Sequence, residues 1–258
     1  MFLNLRFSAI ALTLSTAAIS VAHSAPIVYA CGTATCYFGE NQTPGGLVTV
    51  DPPAARASFL ANLNGVGSEG FESFPLGNTT SFNVSFTGSA GAITASLNGD
   101  GEIRNSSTAG RFNTTPGGSK WFQQRGTSGQ FEIVFSTAIA AFGFYATDVG
   151  DFDGRVTLSL FDSADSLVRT VTVPNTVQGN DASLLFYGFI DSTQSYKRIA
   201  FGNTQAGVDI FGFDDMVVGD INQIGPLPPG RVPEPATLAL VGLSLAGLAA
   251  ATRRKAHK

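Results

Sequence analysis

The sequence predicts an all-β fold, an antiparallel jelly-roll-like β-sandwich with one short N-terminal helix, on three observations. The 258 residues include 30 Gly and 21 Phe but only 13% charged side chains, a mixture that suits half-buried sheet faces joined by tight turns. Apolar and polar residues alternate at period two through much of the chain, as in strands with one face against a core. Turn-rich stretches such as Asn98-Gly99-Asp100-Gly101 separate these runs, with no helical pattern between them.

The elements follow in order. A short segment ending in Arg6, an apolar stretch from Phe7 to Ala22 and small residues at Ala22 and Ser24 have the layout of an export signal, so residues 1–24 read as a leader removed by signal peptidase. Export places the two cysteines, Cys31 and Cys36, in an oxidising compartment, where a structural disulfide is the favoured reading. From Asp51 to Gly65 the pattern is helical: Asp51 caps, Pro52 and Pro53 suit the first turn, and Ala55, Phe59 and Leu63 share one face.

Strands are then expected around Phe82–Phe86, Ala92–Leu97, Phe131–Phe135, Ala140–Ala146, Val156–Leu160, Leu167–Val173, Leu184–Ile190, Arg198–Phe201 and Phe213–Val218. Nine strands without intervening helices make a two-layer sandwich over residues 25–224, an extracytoplasmic domain. A Pro/Gly linker, 225–231, leads to a tail over 232–258.

Within that tail the uncharged apolar run 236–251 is expected to form a single transmembrane helix. Sixteen residues span roughly 24 Å, slightly under the hydrocarbon thickness. Arg253, Arg254 and Lys255 act as a cytoplasmic stop. Val232-Pro233-Glu234-Pro235 precedes the run, and the two prolines hold Glu234 on an extended backbone at the membrane surface, a feature suited to recognition. This order of Pro-Glu-Pro, apolar helix and basic cluster resembles the PEP-CTERM sorting signal of Gram-negative bacteria that make exopolysaccharide. The resemblance implies an exosortase that reads Pro233-Glu234-Pro235, cuts nearby and passes the body to the cell surface or biofilm matrix. Three body segments, Gly70–Phe74, Phe142–Gly154 and Phe211–Met216, are similar to pieces of β-sandwich ectodomains that accompany such tails and of carbohydrate-binding jelly rolls.

Composition excludes several chemistries. The only histidines are His23 in the leader and His257 in the tail, so the body can assemble neither a Ser-His-Asp or Cys-His nucleophile nor a His-ligated zinc site. Between Ala25 and Arg231 ten Lys or Arg face eighteen Asp or Glu, a balance of about -8, which repels nucleic-acid phosphates and favours divalent cations.

Two carboxylate groups are the candidate calcium ligands, in a structural role: Asp148, Asp151 and Asp153 in a Gly-containing turn, and Asp214 with Asp215 at the last strand, joined by Glu72 if first and last strands run side by side. Trp121, Tyr145 and Tyr187 are the aromatic candidates for stacking on sugar rings. Together these observations lead to a non-catalytic surface or matrix protein that binds glycan, with calcium as a structural ion. The alternative is a glycoside hydrolase using two of Glu72, Glu102, Glu132 and the aspartates.

Overall fold

The structure, a computed structural model, describes residues 26–42, 51–79, 81–125, 131–150, 153–205 and 209–225. The leader, Asp151 and the whole tail lie outside them. Among the described residues no helix is long and apolar enough to cross a membrane.

Fourteen strands and one α-helix follow one another as β1 (Ile27–Cys31), β2 (Ala34–Asn41), α1 (Asp51–Leu60), β3 (Gly67–Glu69), β4 (Phe82–Gly88), β5 (Gly91–Asn98), β6 (Gly101–Arg104), β7 (Trp121–Gln124), β8 (Glu132–Ile139), β9 (Ala141–Thr147), β10 (Val156–Phe161), β11 (Leu167–Thr172), β12 (Leu184–Ile190), β13 (Tyr196–Asn203) and β14 (Phe211–Gly219). They form two antiparallel sheets. One has the order β1-β2-β12-β9-β14-β7-β6, with β3 also paired to β14, and the other the order β11-β10-β13-β8-β5-β4.

All nine strands expected from alternation are present, and α1 starts at Asp51. The five others carry no alternation to read. β2 is buried on both faces, because one packs into the core and the other lies under α1. β7 is fully buried although half of it is glutamine, and β3 and β6 are only three and four residues long.

The core between the sheets is built largely of phenylalanine. Phe71, Phe122, Phe131, Phe144, Phe201 and Phe213 are buried, and their rings meet at 4.7–6.1 Å in tilted or edge-on pairs, the geometry that aromatic quadrupoles favour. A second apolar cluster lies outside the larger sheet, where α1 lays Ala55 and Phe59 over Tyr37, Phe186 and Val217. Gly143 and Gly188 face each other across β9 and β12. A Cβ on either would stand 2.9 Å from the Phe59 ring, so the paired glycines make a slot into which the helix sets that ring. Space, and not backbone freedom, demands glycine there.

No element covers the outer face of the smaller sheet to the same extent. Its outward positions, among them Asn83, Ser85, Ser96, Ser136, Ser159 and Thr170, are hydroxyl- or amide-bearing and exposed or half-buried. Some bond to one another, as Ser96 does to Asn83 at 2.7 Å and Ser159 to Thr170 at 3.1 Å.

At one end of the sandwich, a single carboxylate joins the two sheets. Asp191, fully buried after β12, accepts hydrogen bonds from Thr33 in the β1–β2 turn, from Arg169 on β11 and from Tyr196 on β13, and from Thr193 and Gln194 in its own turn, all at 2.7–3.0 Å. The Cys31–Cys36 disulfide, with Cα atoms 5.9 Å apart, closes the same hairpin. Burial alone would raise the Asp191 pKa, but the hydrogen bonds from Tyr196, Thr33 and Thr193 outweigh it and hold the group below the ordinary carboxylate value.

A depressed folded value means that this stabilisation is complete above the unfolded carboxylate pKa, about 4, and is lost as pH falls through the folded value. Asp191→Ala removes the acceptor of Tyr196 and the carboxylate paired with Arg169, and is expected to cost on the order of 3 kcal/mol in urea unfolding at neutral pH. The difference from the native chain should narrow on acidification.

Candidate functional site

The acidic cluster on the outer face of the larger sheet is the most elaborate polar site among the described residues. It arises from a change of partner along β14. Phe211 to Phe213 pair with β7, whereas Met216 to Val218 pair with β3. On the other edge the register against β9 shifts between Asp214 and Val217. The bulge falls on Asp215 and Met216, directly after Asp214, which still pairs with Tyr145, and Asp215 takes a left-handed φ of 48°, a conformation that non-glycine residues adopt at a cost.

Each carboxylate at the bulge is held by the long connection between β6 and β7. Asp214 Oδ2 accepts from the Thr114 amide at 2.7 Å and hydroxyl at 3.0 Å, and from the Thr115 amide at 3.2 Å. Its Oδ1 accepts from the Asp215 amide at 2.8 Å. The Thr115 hydroxyl bridges the pair, at 3.3 Å from Asp214 and 3.2 Å from Asp215. Gly70 is needed for that approach, since a Cβ there would stand 2.2 Å from the Thr115 hydroxyl.

Around the pair stand Glu69, Glu72, Arg56 and Tyr145. Glu72 raises the pKa of both Asp215 and Glu69 by repulsion, while Arg56 lowers Asp215 and Tyr145. Burial is the larger influence in each case. It pushes Asp214 up to about 7 and Tyr145 up to about 12, and raises Asp215 and Glu69 above the usual carboxylate range. The β3–β14 pairing thus brings Glu72 to the Asp214–Asp215 pair, as side-by-side first and last strands would.

The carboxylates do not form a calcium cage. Glu72 Oε1 is taken by the amides of Ser119 and Lys120 at 2.8 and 2.7 Å, and both oxygens of Asp214 are already occupied. Among the described residues no three Asp, Glu, His or Cys side chains converge as metal ligands. Two members of the second group are described. Asp148 is buried and ion-paired to Arg111 at 2.8 Å, Asp153 is exposed and bonded to Gln178, and Asp151 lies outside the described residues. In this arrangement Asp214, Glu72, Asp148 and Asp153 each accept from internal donors.

The aromatic candidates are likewise turned inward. Trp121 and Tyr187 are fully buried and Tyr145 is 7% exposed, so none offers a ring face to a sugar. Tyr187 instead lies in the core with its hydroxyl 3.0 Å from Cys36 Sγ, and Tyr145 packs edge-on against Phe186 beneath Arg56. Alternation could not reveal this, because β7, β9 and β12 are covered on both faces. Of the carboxylates of the hydrolase alternative, Glu72 stands with Asp214 and Asp215 in this cluster, whereas Glu102 on β6 pairs with Arg104 and Arg125, and Glu132 on the other sheet pairs with Arg198.

The sorting residues Val232, Pro233, Glu234, Pro235, Arg253, Arg254 and Lys255 lie outside the described residues, and the comparison with known families bears on them directly. The model of the PEP-CTERM protein-sorting motif matches residues 231–255. The chain carries a PEP-CTERM sorting motif. The motif implies an exported protein that is sorted by an exosortase and anchored in a membrane before processing.

No curated protein matches this PEP-CTERM chain. Similar solved structures include the enzymatically active domain of tailspike protein 4 of bacteriophage CBA120, at 13% identity over 61% of this chain and TM-score 0.31. A DUF4465 family protein from Bacteroides ovatus is 9% identical over 59% of this chain and 98% of its own, with TM-score 0.35. The CBM22-1 xylan-binding domain from Paenibacillus barcinonensis Xyn10C is 14% identical over 61% of this chain and 95% of its own, with TM-score 0.34. The chain spans about a fifth of the tailspike structure, 21% of its length.

Asp214 gives the acidic cluster a pH signature opposite in sign to that of Asp191. Its folded pKa is raised, so its contribution to stability is full below the unfolded value near 4 and is lost as pH rises through about 7. Thermal unfolding followed between pH 4 and 8 is expected to show a smaller fall in Tm across that window for Asp214→Asn than for the native chain.

Proposed function

We propose that this protein is a non-catalytic component of the cell surface or exopolysaccharide matrix of a Gram-negative bacterium. It is exported through a leader over residues 1–24, which signal peptidase removes. The apolar run 236–251 then holds it in the inner membrane until an exosortase reads Pro233-Glu234-Pro235. The observation that carries this reading is the match of residues 231–255 to the sorting motif. Arg253, Arg254 and Lys255, on the cytoplasmic side of the apolar run, agree with it.

The body, a jelly-roll-like sandwich, serves as the displayed cargo. Its disulfide suits an oxidising compartment. With the aromatic candidates buried, the bare outer face of the smaller sheet is the surface that supports contact with a neutral glycan. Its hydroxyl and amide groups match those of a polyol, and its charges Arg198, Glu132 and Asp165 pair with one another.

Intact mass of the exported protein from cells with an active exosortase tests the sorting step. The native chain is expected to lose its tail, whereas Glu234→Ala keeps it and stays with the membrane fraction. For the body, retention on an insoluble neutral polysaccharide is expected without release of reducing ends. The double variant Ser85→Glu/Ser159→Glu should bind several-fold less while keeping its Tm. Steady release of reducing sugar would favour the hydrolase instead.

A further inference from the structure

The point at which the chain leaves the sandwich is fixed by its hydrogen bonds. After β14, Asp220 caps a single 3-10 turn, Ile221–Gln223, and its Oδ2 accepts from the Ser89 amide at 2.7 Å. Gln223 donates to the carbonyls of Gly65 and Thr87. Ile224 bridges to Leu63, and the Gly225 amide bonds to Asn62 O at 2.8 Å. The last described residue is therefore pinned to one pole of the sandwich, which also holds the Asn64-Gly65 and Ser89-Ala90 turns.

The opposite pole carries the exposed carboxylates Asp100, Asp153 and Asp181, together with exposed Arg155. Nine residues of β14 set the poles about 30 Å apart. At the exit pole the carboxylates of Asp191 and Asp220 are buried, and the exposed residues next to the exit, Asn64, Gly65, Ser89, Ala90, Ile221 and Asn222, are uncharged, with Ile221 41% exposed.

Ten residues, 226–235, separate Gly225 from the apolar run, and five of them are Pro. Fully extended they reach at most about 35 Å. Pro233 lies eight residues from Gly225, within about 29 Å.

From the pinned exit, the short tether and the charge difference between the poles, we infer that the precursor stands end-on at the membrane. The exit pole meets the headgroup layer and the processing enzyme, and the acidic pole is presented outward. This rests on the sorting reading given above. An anionic lipid surface repels the acidic pole and leaves the uncharged pole free to approach, so electrostatics and tether length act in the same direction. The enzyme that cuts at the motif therefore works against the Asn64, Ser89 and Asn222 turns and never against Asp153 or Asp181.

Energy transfer from a donor on the body to acceptor-headgroup lipid tests the orientation. The full-length chain, labelled at Ala90→Cys or at Asp181→Cys, is reconstituted in phosphatidylethanolamine/phosphatidylglycerol vesicles and separated by flotation. Both positions are exposed turn residues, and unchanged Tm confirms that the labels leave the fold intact. Co-flotation reads the anchoring itself, so failure to float overturns the sorting reading. Among floated molecules, transfer from position 90 is expected to exceed that from position 181 about twofold, given the ~30 Å between poles. Equal transfer, or more from position 181, overturns the end-on arrangement. A twenty-residue Gly/Ser insertion after Gly225 should erase the difference, and a difference that survives it also overturns the role given to the tether.

Discussion

The change of partner along β14 is the constraint on which the rest of this structure depends. A strand of nine buried residues cannot keep one register while β7 takes its first half and β3 its second. The register shift falls just after Asp214, where the backbone bulges at Asp215 and Met216 and Asp215 takes a left-handed φ. Before the bulge, β14 contributes Phe213 to the aromatic core. At the bulge it turns two carboxylates outward to the threonines of the β6–β7 connection, and beyond it leads to the pole from which the chain departs.

Two buried aspartates show how local donors decide whether burial stabilises a charge. Asp191 and Asp214 are both almost free of solvent contact, yet their pKa values move in opposite directions. At Asp191 the hydrogen bonds from Tyr196, Thr33 and Thr193 outweigh the effect of burial. Asp214 has only neutral donors and a neighbouring carboxylate, so burial prevails. One charge fastens the sheets, and the other is held where the sheet pattern breaks.

Much of the fold was legible because alternation is a local signal. Val84, Phe86, Ile93 and Ile133 lie on strands with one wet face, and each falls where its pattern indicates. The helix was equally readable from Ala55, Phe59 and Leu63. Where a strand is covered twice the sequence does not tell which face meets the core: β9, β12 and β14 were legible as strands but not in their burial, β2 and β7 were not legible at all, and the Trp and Tyr residues that looked like sugar platforms are core. Glu72 does approach Asp215, but by way of β3 and not of the first strand, since β1 lies at the far edge of the sheet. The Thr114 and Thr115 donors that satisfy Asp214 were not foreseen, since nothing in the local sequence says that a turn a hundred residues upstream folds back onto β14.

The slot formed by Gly143 and Gly188 makes three distant positions a single unit of variation. A side chain at either glycine displaces the Phe59 ring, and a smaller residue at 59 leaves an empty trench across two strands. Among descendants of this sequence, the three sites are free to drift only in concert. The attachment of the helix to the sheet is thus inherited as a matched set.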